Sequence, residues 1–385
     1  MIIIHVLEPF ASGVITAVAS ITRVLPDYSH IVIHGSRNWV ENAEDVKKRF
    51  PPGVQFVEWK SISREINLSG DCKALWELIA ILRTYAPHKK RPSFDNNNFS
   101  DKAVVHLHSS KAGFLGRLAC RILGIRTVIY TPHCGAFLRR DIGFVKRKIY
   151  WLFEWLGGCF GGRVVGCGPS ERALYKKLGK NTAYVSNGVK LKEEAAVNSI
   201  KRKKTGSARR SLVCFTGIAS FQKDPALWNE IAGACAETAV KRGFSFYWIG
   251  GGPLENLLNR ELITVTGWKN AVEVNELLEQ TAVYFSASAW EGLPYGVLEA
   301  MNHGCALLLR DVPGNRDLVI NGENGRLFTT KENAVQYLTA MMEDRAALAA
   351  MGGRSRKILE QDYTLEHMGE RYRQIYTEAV QGGKL

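Results

Sequence analysis

The sequence lacks the cysteine spacing of a disulfide-rich or zinc-binding protein. Its eight cysteines are scattered along 385 residues, and no two of them form a Cys-x-x-Cys pair. Residues 1–7 (MIIIHVL) do not have the layout of a secretory signal peptide, and we expect them to form a buried strand. These absences argue against a disulfide framework and a zinc site, and they predict a reducing compartment, the cytoplasm.

Acidic residues are scarce in the first half of the chain. Residues 1–195 hold 29 Lys and Arg against 16 Asp and Glu, a balance of +13. The remaining residues hold 22 against 21, a balance of +1. A basic half next to a near-neutral half predicts that one domain meets an anionic partner. Nucleic acid, an anionic membrane surface and a phosphorylated substrate all fit this charge.

The length of the chain exceeds what one hydrophobic core usually covers, so two domains are expected. Strand-like and helix-like stretches alternate, and the alternation restarts after a charged stretch in the middle of the chain. We predict two doubly wound parallel-sheet domains of the α/β class at 1–192 and 212–365, with a linker at 193–211 and a polar loop at 87–102. Ligands of such sheets bind at the carboxyl ends of the strands, in a cleft between the domains.

The stretch 290–304 (WEGLPYGVLEAMNHG) follows a predicted buried strand and predicts a loop and a helix that opens near Pro294. Its two loop glycines allow close backbone approach, and a helix N-terminus attracts phosphate oxygens. Glu299, more than one turn into the helix, can accept hydrogen bonds from two hydroxyls, as an acidic residue does for ribose in dinucleotide sites. Glu291, in the loop, could bind another polyol. The alternative is a helix N-terminal charge and a solvated glutamate.

Four further segments accompany this Glu-x7-Glu pattern: FTGIASFQKDP (215–225), WIGGGPL (248–254), ITVTGW (263–268) and VPGNRDLVINGENGRLF (312–328). In order and spacing they resemble the donor domain of retaining glycosyltransferases of family four, closest to members that build bacterial capsule and O-antigen polysaccharides. The resemblance continues more weakly in HLHSSKAG (106–113), YTPH (130–133), VVGCGPS (164–170) and VSNGV (185–189). It implies the GT-B fold, with two Rossmann-like domains facing a central cleft and a C-terminal helix, about 366–385, that crosses back to the first domain.

The resemblance also implies roles for individual residues. Glu299 would bind the donor ribose hydroxyls, and Glu291 would bind hydroxyls of the transferred sugar. Lys223 would neutralise the leaving nucleoside diphosphate, Gly13 would let the loop after the first strand close over the phosphates, and His133 would lie near the reaction centre. The other expected donor contacts are Gly292, Leu293, Pro294, Tyr295 and Gly296 around the diphosphate and sugar, and Trp268 and Lys269 near the base.

One position departs from the family pattern. The family usually places an arginine five residues before the phosphate-binding lysine, and this chain has Ile218 there. An arginine offers a phosphate bidentate geometry that a lysine lacks, so either another basic residue substitutes or activity is low. Histidines in strands are usually hydrogen-bonded structural residues, and we expect that role for His106 and His108.

An Asp-x-Asp pair for metal binding and a carboxylate pair suited to glycoside hydrolysis are both absent from the sequence. We therefore expect no metal and no cofactor other than the donor, with the diphosphate neutralised by Lys223 and by helix dipoles. The family's retaining chemistry is written as front-face substitution, in which the departing phosphate takes the acceptor proton. We assign His133, Glu291 and Lys223 to the catalytic centre without naming a general base.

The run 144–160 (FVKRKIYWLFEWLGGCF) places basic residues before aromatic ones. Its apolar part is too short to span a membrane and is interrupted by Glu154. The family packs a helix here within the first domain, so we expect a core helix, with peripheral membrane contact as the alternative. The last stretch, 363–380, predicts a helix with Leu365, Met368, Tyr372 and Ile375 on one face.

These observations predict a bacterial glycosyltransferase in the cytoplasm, or peripheral at the inner face of the cell membrane. It would transfer a sugar from a nucleotide sugar, a UDP-sugar, to a polysaccharide or polyprenyl-diphosphate-linked acceptor. One alternative is a GT-B sugar-nucleotide 2-epimerase, although no motif supplies the histidine and carboxylate groups for its proton transfers. The other is a basic nucleic-acid-binding protein. No nucleic-acid-binding motif is recognisable, and we expect no such partner.

Overall fold

The structure, a computed structural model, describes residues 1–35, 42–63, 66–85, 103–192 and 210–382. The predicted polar loop at 87–102 lies outside these residues, as does the predicted linker at 193–211 except for its last two positions. The chain divides into two units. One comprises Met1–Leu138, Ile142–Gly188 and the segment from Leu365 onwards, and the other comprises Val189–Thr364 with Arg139–Asp141.

The first unit is built on a sheet of seven parallel strands. These are β1 (Ile2–Leu7), β2 (Ser29–His34), β3 (Gln55–Glu58), β4 (Ala103–His108), β5 (Val128–Thr131), β6 (Arg163–Gly166) and β7 (Thr182–Tyr184). Their order in the sheet is β3-β2-β1-β4-β5-β6-β7. Strands β1 and β4 are buried along nearly their whole length because helices cover both faces of a parallel sheet.

Seven helices surround this sheet in the described residues. They are α1 (Ser12–Val24), α2 (Ala43–Lys47), α3 (Leu68–Tyr85), α4 (Ser110–Leu123), α5 (Phe144–Cys159), α6 (Pro169–Lys176) and, from the chain's end, α13 (Leu365–Gln381). Helix α4 ends at a glycine, since Gly124 adopts a left-handed conformation with φ of 72°. Gly13 lies in the first turn of α1 and not in the expected loop. In a first turn its backbone N–H has no intrahelical partner.

The C-terminal helix α13 completes the core of the first unit. Leu365, Met368, Tyr372 and Ile375, the predicted inward face, are all buried there against residues of the sheet and of α1. This packing assigns the end of the chain to the first unit, in agreement with the predicted GT-B fold.

The second unit contains a parallel sheet of six strands. They are β8 (Leu212–Thr216), β9 (Ser245–Ile249), β10 (Ile263–Val265), β11 (Thr281–Ser286), β12 (Ala306–Arg310) and β13 (Gly325–Phe328), in the order β10-β9-β8-β11-β12-β13. The helices are α7 (Pro225–Ala234), α8 (Ala236–Arg242), α9 (Ala271–Gln280), α10 (Tyr295–Asn302), α11 (Lys331–Glu343) and α12 (Arg345–Asp362). Each unit is therefore a doubly wound α/β sheet, and the predicted fold class is confirmed.

Helix α5 corrects the expectation of a core helix. Its inward side carries the buried Glu154 and Gly157, whereas Phe144, Trp151 and Trp155 are among its exposed residues. Several large apolar side chains of this helix thus face solvent, since a buried polar network fixes the opposite side, although Phe153 packs edge-on against Phe114. In the described part of the chain, no helix is both long enough and apolar enough to cross a bilayer.

The packing of α4 against the sheet generates a stability prediction. A β-carbon at Gly113 would lie 2.2 Å from the Tyr130 ring, whose hydroxyl is held 2.8 Å from the Glu154 carboxylate. We expect Gly113→Ala to lower the free energy of unfolding by about 2 kcal/mol or more, because a rigid ring must move. Guanidinium unfolding followed by circular dichroism measures this change.

Gly70→Ala is the matched control in another helix of the same unit. Its β-carbon would make only ordinary contacts of 3.6 Å or more with Asn67, so we expect a change between zero and about 1 kcal/mol of stabilisation. Equal effects of the two substitutions would contradict the packing argument.

Candidate active site

In the second unit, the strand order reverses between β8 and β11. The chain leaves β8 towards β9 and leaves β11 towards β12, so the loops after these two neighbouring strands diverge and open a crevice at the carboxyl edge. Lys223 lies in the loop after β8, and Glu291 lies in the loop after β11. Two residues 68 positions apart in sequence therefore meet at the point where α/β sheets bind ligands.

Lys223 and Glu291 form an ion pair in this crevice. The Lys223 ammonium is 2.5 Å from one Glu291 oxygen, and the Gln222 amide nitrogen is 3.3 Å from the other. The Glu291 residue is only 5% exposed. A carboxylate this deeply buried needs a cation and hydrogen-bond donors, and the loop after β8 supplies both.

The loop after β11 is held from two sides by backbone contacts. On one side, the Ala289 N–H donates to the Gln222 carbonyl at 2.8 Å. On the other, Gly314 lies so close to Gly292 that a β-carbon on Gly314 would come 2.1 Å from the Gly292 carbonyl oxygen. Gly314 also has φ of 63°, a conformation that other residues rarely adopt. The glycine in the predicted segment 312–328 thus supports the loop that carries Glu291.

Helix α10 begins directly after this loop, near Pro294 as predicted, and Pro294 is its N-cap. No side chain caps its N-terminus, so its first N–H groups are not used by a capping residue. Gly296 lets the helix approach the sheet, because a β-carbon there would lie 2.4 Å from the Thr216 hydroxyl and 2.5 Å from the Tyr284 hydroxyl. The helix therefore presents its positive end at the crevice.

Glu299 lies one turn further along α10 and is half-buried. Burial raises the pKa of its carboxyl to about 7. Within the described residues, no group donates a hydrogen bond to this carboxylate, so its acceptor capacity is unused. An acceptor-only group with this environment fits a ligand that brings its own hydroxyl donors.

Three glycines draw together the loops after β8 and β9. Gly217, Gly250 and Gly252 all have positive φ, and β-carbons on the last two would fall within 3 Å of the backbone of residues 217 and 219. The pattern WIGGGPL thus permits close backbone contact between two loops at the carboxyl edge. Ile218 lies in this contact, where its side chain is next to Gly252.

Trp268 and Lys269 follow β10 at the edge of the sheet. Trp268 is 70% exposed, and its indole nitrogen lies next to Gly251. The Lys269 ammonium pairs at 2.8 Å with Glu273, in the first turn of α9. Trp268 thus has a free aromatic face, and Lys269 is already engaged.

In the first unit, His133 lies at the carboxyl end of β5, in a strained turn. His133 has φ of 51° and Cys134 has φ of 78°, and Ser109 after the neighbouring β4 has φ of 70°. The only other non-glycine residue with positive φ in the described ranges is Asp224, next to Lys223. Such backbone strain persists where the surroundings enforce it, commonly at functional sites.

The buried Glu171 carboxylate holds this turn in place. One of its oxygens accepts the Cys134 N–H at 2.8 Å, and the other accepts the Cys167 N–H at 2.7 Å. Burial raises the pKa of Glu171, although these two hydrogen bonds oppose the shift. Glu171 stands in the helix α6, and no sequence pattern distinguished it from a solvated helix residue.

A chain of hydrogen-bonded imidazoles runs through the first unit behind His133. His30 and His5 are joined at 3.2 Å, His5 and His108 at 3.1 Å, and His108 and His133 at 2.9 Å. Burial lowers the pKa of each ring, that of His133 to about 4. All four rings are therefore neutral at pH 7, because a charged imidazole would lose its hydration here.

One backbone carbonyl sets the direction of every donor in this chain. His30 Nε2 lies 2.9 Å from the Leu25 carbonyl oxygen, which can only accept, so the His30 proton is on Nε2 and its Nδ1 accepts. Each neutral ring then donates from Nε2 and accepts at Nδ1. His5 donates to His30, His108 donates to His5, and His133 donates to His108. The last acceptor, His133 Nδ1, is 3.3 Å from the Cys167 sulfur, which donates its thiol proton. Both ring nitrogens of His133 are thus engaged inside the unit.

The strand histidines also form the cluster best suited to a metal ion among the described residues. Ligand nitrogens of His5, His106 and His108 lie within 4.8 Å of one another. However, His106 bonds to the Tyr376 and Thr131 hydroxyls, and the other two rings belong to the imidazole chain. A metal would have to break these bonds, so the geometry favours the hydrogen-bonded structural role expected for His106 and His108.

Comparison with known proteins shows that part of the chain matches a protein family. Residues 252–358, which include the loop after β11 and helix α10, match the model of "Glycosyl transferases group 1". The match assigns a group 1 glycosyltransferase domain to these residues. The chain is also 27% identical over 339 residues, 83% of each chain, to an Escherichia coli enzyme named UDP-Gal:alpha-D-GlcNAc-diphosphoundecaprenol alpha-1,3-galactosyltransferase.

Solved structures of two proteins resemble the fold of this chain over nearly its whole length. The Anabaena protein HepE, in complex with UDP and glucose, has a TM-score of 0.73 at 12% identity, covering 98% of this chain and all of the other. Sucrose-phosphate synthase from Thermosynechococcus elongatus has a TM-score of 0.75 at 13% identity, with 99% and 100% coverage. At these identities the likeness shows the GT-B fold.

Sequence reasoning missed three residues of the crevice. Gln222 and Asp224 flank Lys223, and Asp224 both caps α7 and pairs at 2.9 Å with Arg310 from the end of β12. Arg310 places a second cation near Lys223, although Asp224 already neutralises it. A basic residue that ends the buried strand CALLLRD was the signal available for Arg310.

The imidazole chain predicts a single tautomer for each of its rings. At pH 6.5 we expect His5, His30, His108 and His133 to be neutral with the proton on Nε2, because the Leu25 carbonyl fixes the first link. Nitrogen-15 NMR of the imidazoles, assigned by single replacements, measures this state. His34 is the internal control, since its Nδ1 faces the Gly35 carbonyl at 3.3 Å and should carry the proton. A charged or Nδ1-protonated His133 would contradict the assignment.

Proposed function

We propose that the glycosyltransferase transfers a sugar from a UDP-sugar to a saccharide carried on a polyprenyl diphosphate. The observation that carries this proposal is the Lys223–Glu291 pair at the strand reversal, beside a helix whose Glu299 carboxylate has unused acceptor capacity. A cation, a helix N-terminus and a hydroxyl acceptor are what a nucleotide diphosphate sugar requires. The name of the Escherichia coli relative and the UDP in the Anabaena complex support the choice of donor.

Each part of the donor has a proposed partner in the second unit. Glu299 accepts hydrogen bonds from the ribose hydroxyls. The first N–H groups of α10, around Tyr295 and Gly296, bind the diphosphate. Lys223 shares its charge between Glu291 and the phosphates. The backbone of Gly292, Leu293 and Pro294 lines the sugar, Glu291 orients its hydroxyls, and Trp268 offers a stacking face to the base with Lys269 beside it.

We propose a retaining front-face reaction that uses no metal. Lys223 and the helix dipole stabilise negative charge on the leaving diphosphate, and such fixed charges need no reorganisation as the bond breaks. The departing phosphate accepts the proton of the attacking hydroxyl. Glu291 is paired with Lys223 and orients the sugar hydroxyls, so its proposed role is binding and electrostatic, and it is not assigned as a base.

The first unit is proposed to bind the acceptor. Gly13, in the first turn of α1, and His133, after β5, both lie at the carboxyl edge of its sheet. Because the His133 ring is neutral and internally bonded, it contributes shape and its neighbouring backbone and does not transfer a proton. An acceptor held on a lipid also implies contact of this basic unit with an anionic membrane surface.

The donor proposal predicts nucleotide selectivity that depends on Glu299. We expect UDP to bind more tightly than GDP or ADP, and Glu299→Ala to weaken UDP binding by about tenfold or more, since two hydroxyls lose their acceptor. Isothermal titration calorimetry measures both. Glu276→Ala, in an exposed position of α9, is the control and should bind as the wild type does. Absence of nucleotide binding would overturn the donor site.

The raised pKa of Glu299 predicts a pH dependence of donor affinity. Hydroxyl donors favour the ionised carboxylate, so with a pKa of about 7 the affinity for a UDP-sugar should rise about tenfold between pH 6 and pH 8. A UDP-sugar is the suitable ligand because, unlike UDP, it has no terminal phosphate that titrates near pH 6. Glu299→Gln should abolish the dependence. A flat profile in the wild type would show that Glu299 does not contact the donor.

The same assays separate the alternatives that the sequence left open. A sugar-nucleotide 2-epimerase would return an isomeric nucleotide sugar without an acceptor, which chromatography of the products detects. A nucleic-acid-binding protein would bind through phosphate contacts that weaken steeply with salt, whereas donor binding at a largely buried pair should survive moderate salt.

A further inference from the structure

The exposed side of helix α5 is built from large apolar residues. Phe144, Val145, Ile149, Trp151, Leu152 and Trp155, hereafter the aromatic face, are each between 41% and 71% exposed. At 100° per residue these six positions fall within an arc of about 160° on the helix surface. Contiguous exposed apolar patches on a protein surface mark interaction sites more often than isolated residues do.

The orientation of α5 is fixed from the opposite side. The buried Glu154 carboxylate accepts hydrogen bonds from Ser110 at 2.7 Å and Tyr130 at 2.8 Å, and it pairs with Arg117 at 3.3 Å. Arg117 in turn packs so closely on Gly157 that a β-carbon there would come within 2.4 Å. Rotating the helix to bury its aromatic face would separate Glu154 from Arg117 and leave both charges without partners, so the aromatic face must stay exposed.

The exposed charges in the segment of chain that carries α5 have one sign. Residues 142–188 contain eight basic residues (Lys146, Arg147, Lys148, Arg163, Arg172, Lys176, Lys177 and Lys180) and two acidic ones, Glu154 and Glu171, which are both buried. Lys148 lies within the arc of the aromatic face, and the Lys180 ammonium lies 5.6 Å from the Trp155 ring centroid. Every exposed charge of this segment is therefore positive.

We propose that the aromatic face of α5 inserts into the interface of an anionic lipid bilayer. Tryptophan and phenylalanine with nearby lysines are the side chains that lie at the boundary between headgroups and acyl chains, where rings meet hydrocarbon and ammonium groups meet lipid phosphates. A second copy of the chain fits less well, because two such surfaces would bring like charges together in a low-dielectric contact. The purpose of this contact rests on the proposed lipid-linked acceptor, but lipid binding itself can be measured without turnover.

The test is flotation of the full chain with vesicles. We compare phosphatidylcholine alone with phosphatidylcholine containing about 30% phosphatidylglycerol, since anionic lipid attracts lysines. We expect binding to the anionic vesicles only, weakened at about 0.5 M salt by screening. Trp151→Gln/Leu152→Gln/Trp155→Gln should reduce the partition coefficient by about tenfold or more, through lost apolar burial. Lys146→Glu/Lys148→Glu should reduce it on anionic vesicles.

Trp76→Gln is the matched control, because Trp76 is 64% exposed on α3 of the same unit but lies outside the aromatic face. It should bind vesicles as the wild type does. Equal loss in the control and the triple variant, or no binding of the wild type to anionic vesicles, would overturn the proposal. A wild-type dimer in sedimentation velocity that the triple variant converts to monomer would assign the face to self-association instead.

Calorimetry with UDP distinguishes this proposal from the donor site. The triple variant should keep wild-type UDP affinity, which also shows that it is folded. Loss of vesicle binding with UDP affinity intact supports the aromatic face, and vesicle binding by Glu299→Ala supports it independently of the donor proposal. If the triple variant loses UDP binding, the single variant Trp155→Gln replaces it, and retained vesicle binding by that variant would count against the proposal.

Discussion

The arrangement of the second unit depends on one ion pair between loops that leave the sheet in opposite directions. Lys223 and Glu291 tie the loop after β8 to the loop after β11, and removal of Lys223 would leave the Glu291 carboxylate buried without its counter-charge, at a cost of about 3–5 kcal/mol. The ion pair fixes the position of the loop after β11. The contact between this loop and Gly314, and the point at which α10 begins, both depend on that position. In the proposed function a diphosphate would compete with Glu291 for the same ammonium, so donor binding would act directly on the contact that joins the two loops.

The two units use their carboxyl edges differently. In the second, charges and an unpartnered carboxylate face the crevice, and burial tunes Glu299 to titrate near neutrality. In the first, neutral imidazoles form a fixed donor chain that ends at His133, and a buried Glu171 holds the strained turn next to it. All the described non-glycine residues with positive φ lie at these two edges, which concentrates backbone strain where ligands of such sheets bind.

In helix α5, a buried polar network occupies the inward side and leaves large apolar side chains exposed. Glu154 interrupts an aromatic run in sequence, and the expectation was a core helix. In the fold, Glu154 fixes the orientation of the helix, because Arg117, Tyr130 and Ser110 all donate hydrogen bonds to it, and the residues of the aromatic face are left exposed. The same run in sequence is compatible with either orientation, and the partners that choose between them come from distant elements.

The sequence by itself determined the two α/β sheets, the strand ends and the loop that carries Glu291, because buried strands, glycines and helix starts leave local periodic patterns. Lys223 was expected only from the resemblance to a known family, and Glu299 from its position on a helix after a glycine-bearing loop. The sequence could not reveal that Lys223 pairs with Glu291, that Arg310 lies nearby, or that His5, His30 and His108 align behind His133. These depend on strand order and register, which bring together residues from separate strands whose separation in sequence carries no pattern. Only the tertiary structure decided them, since hydrogen bonds and burial act on distances in space.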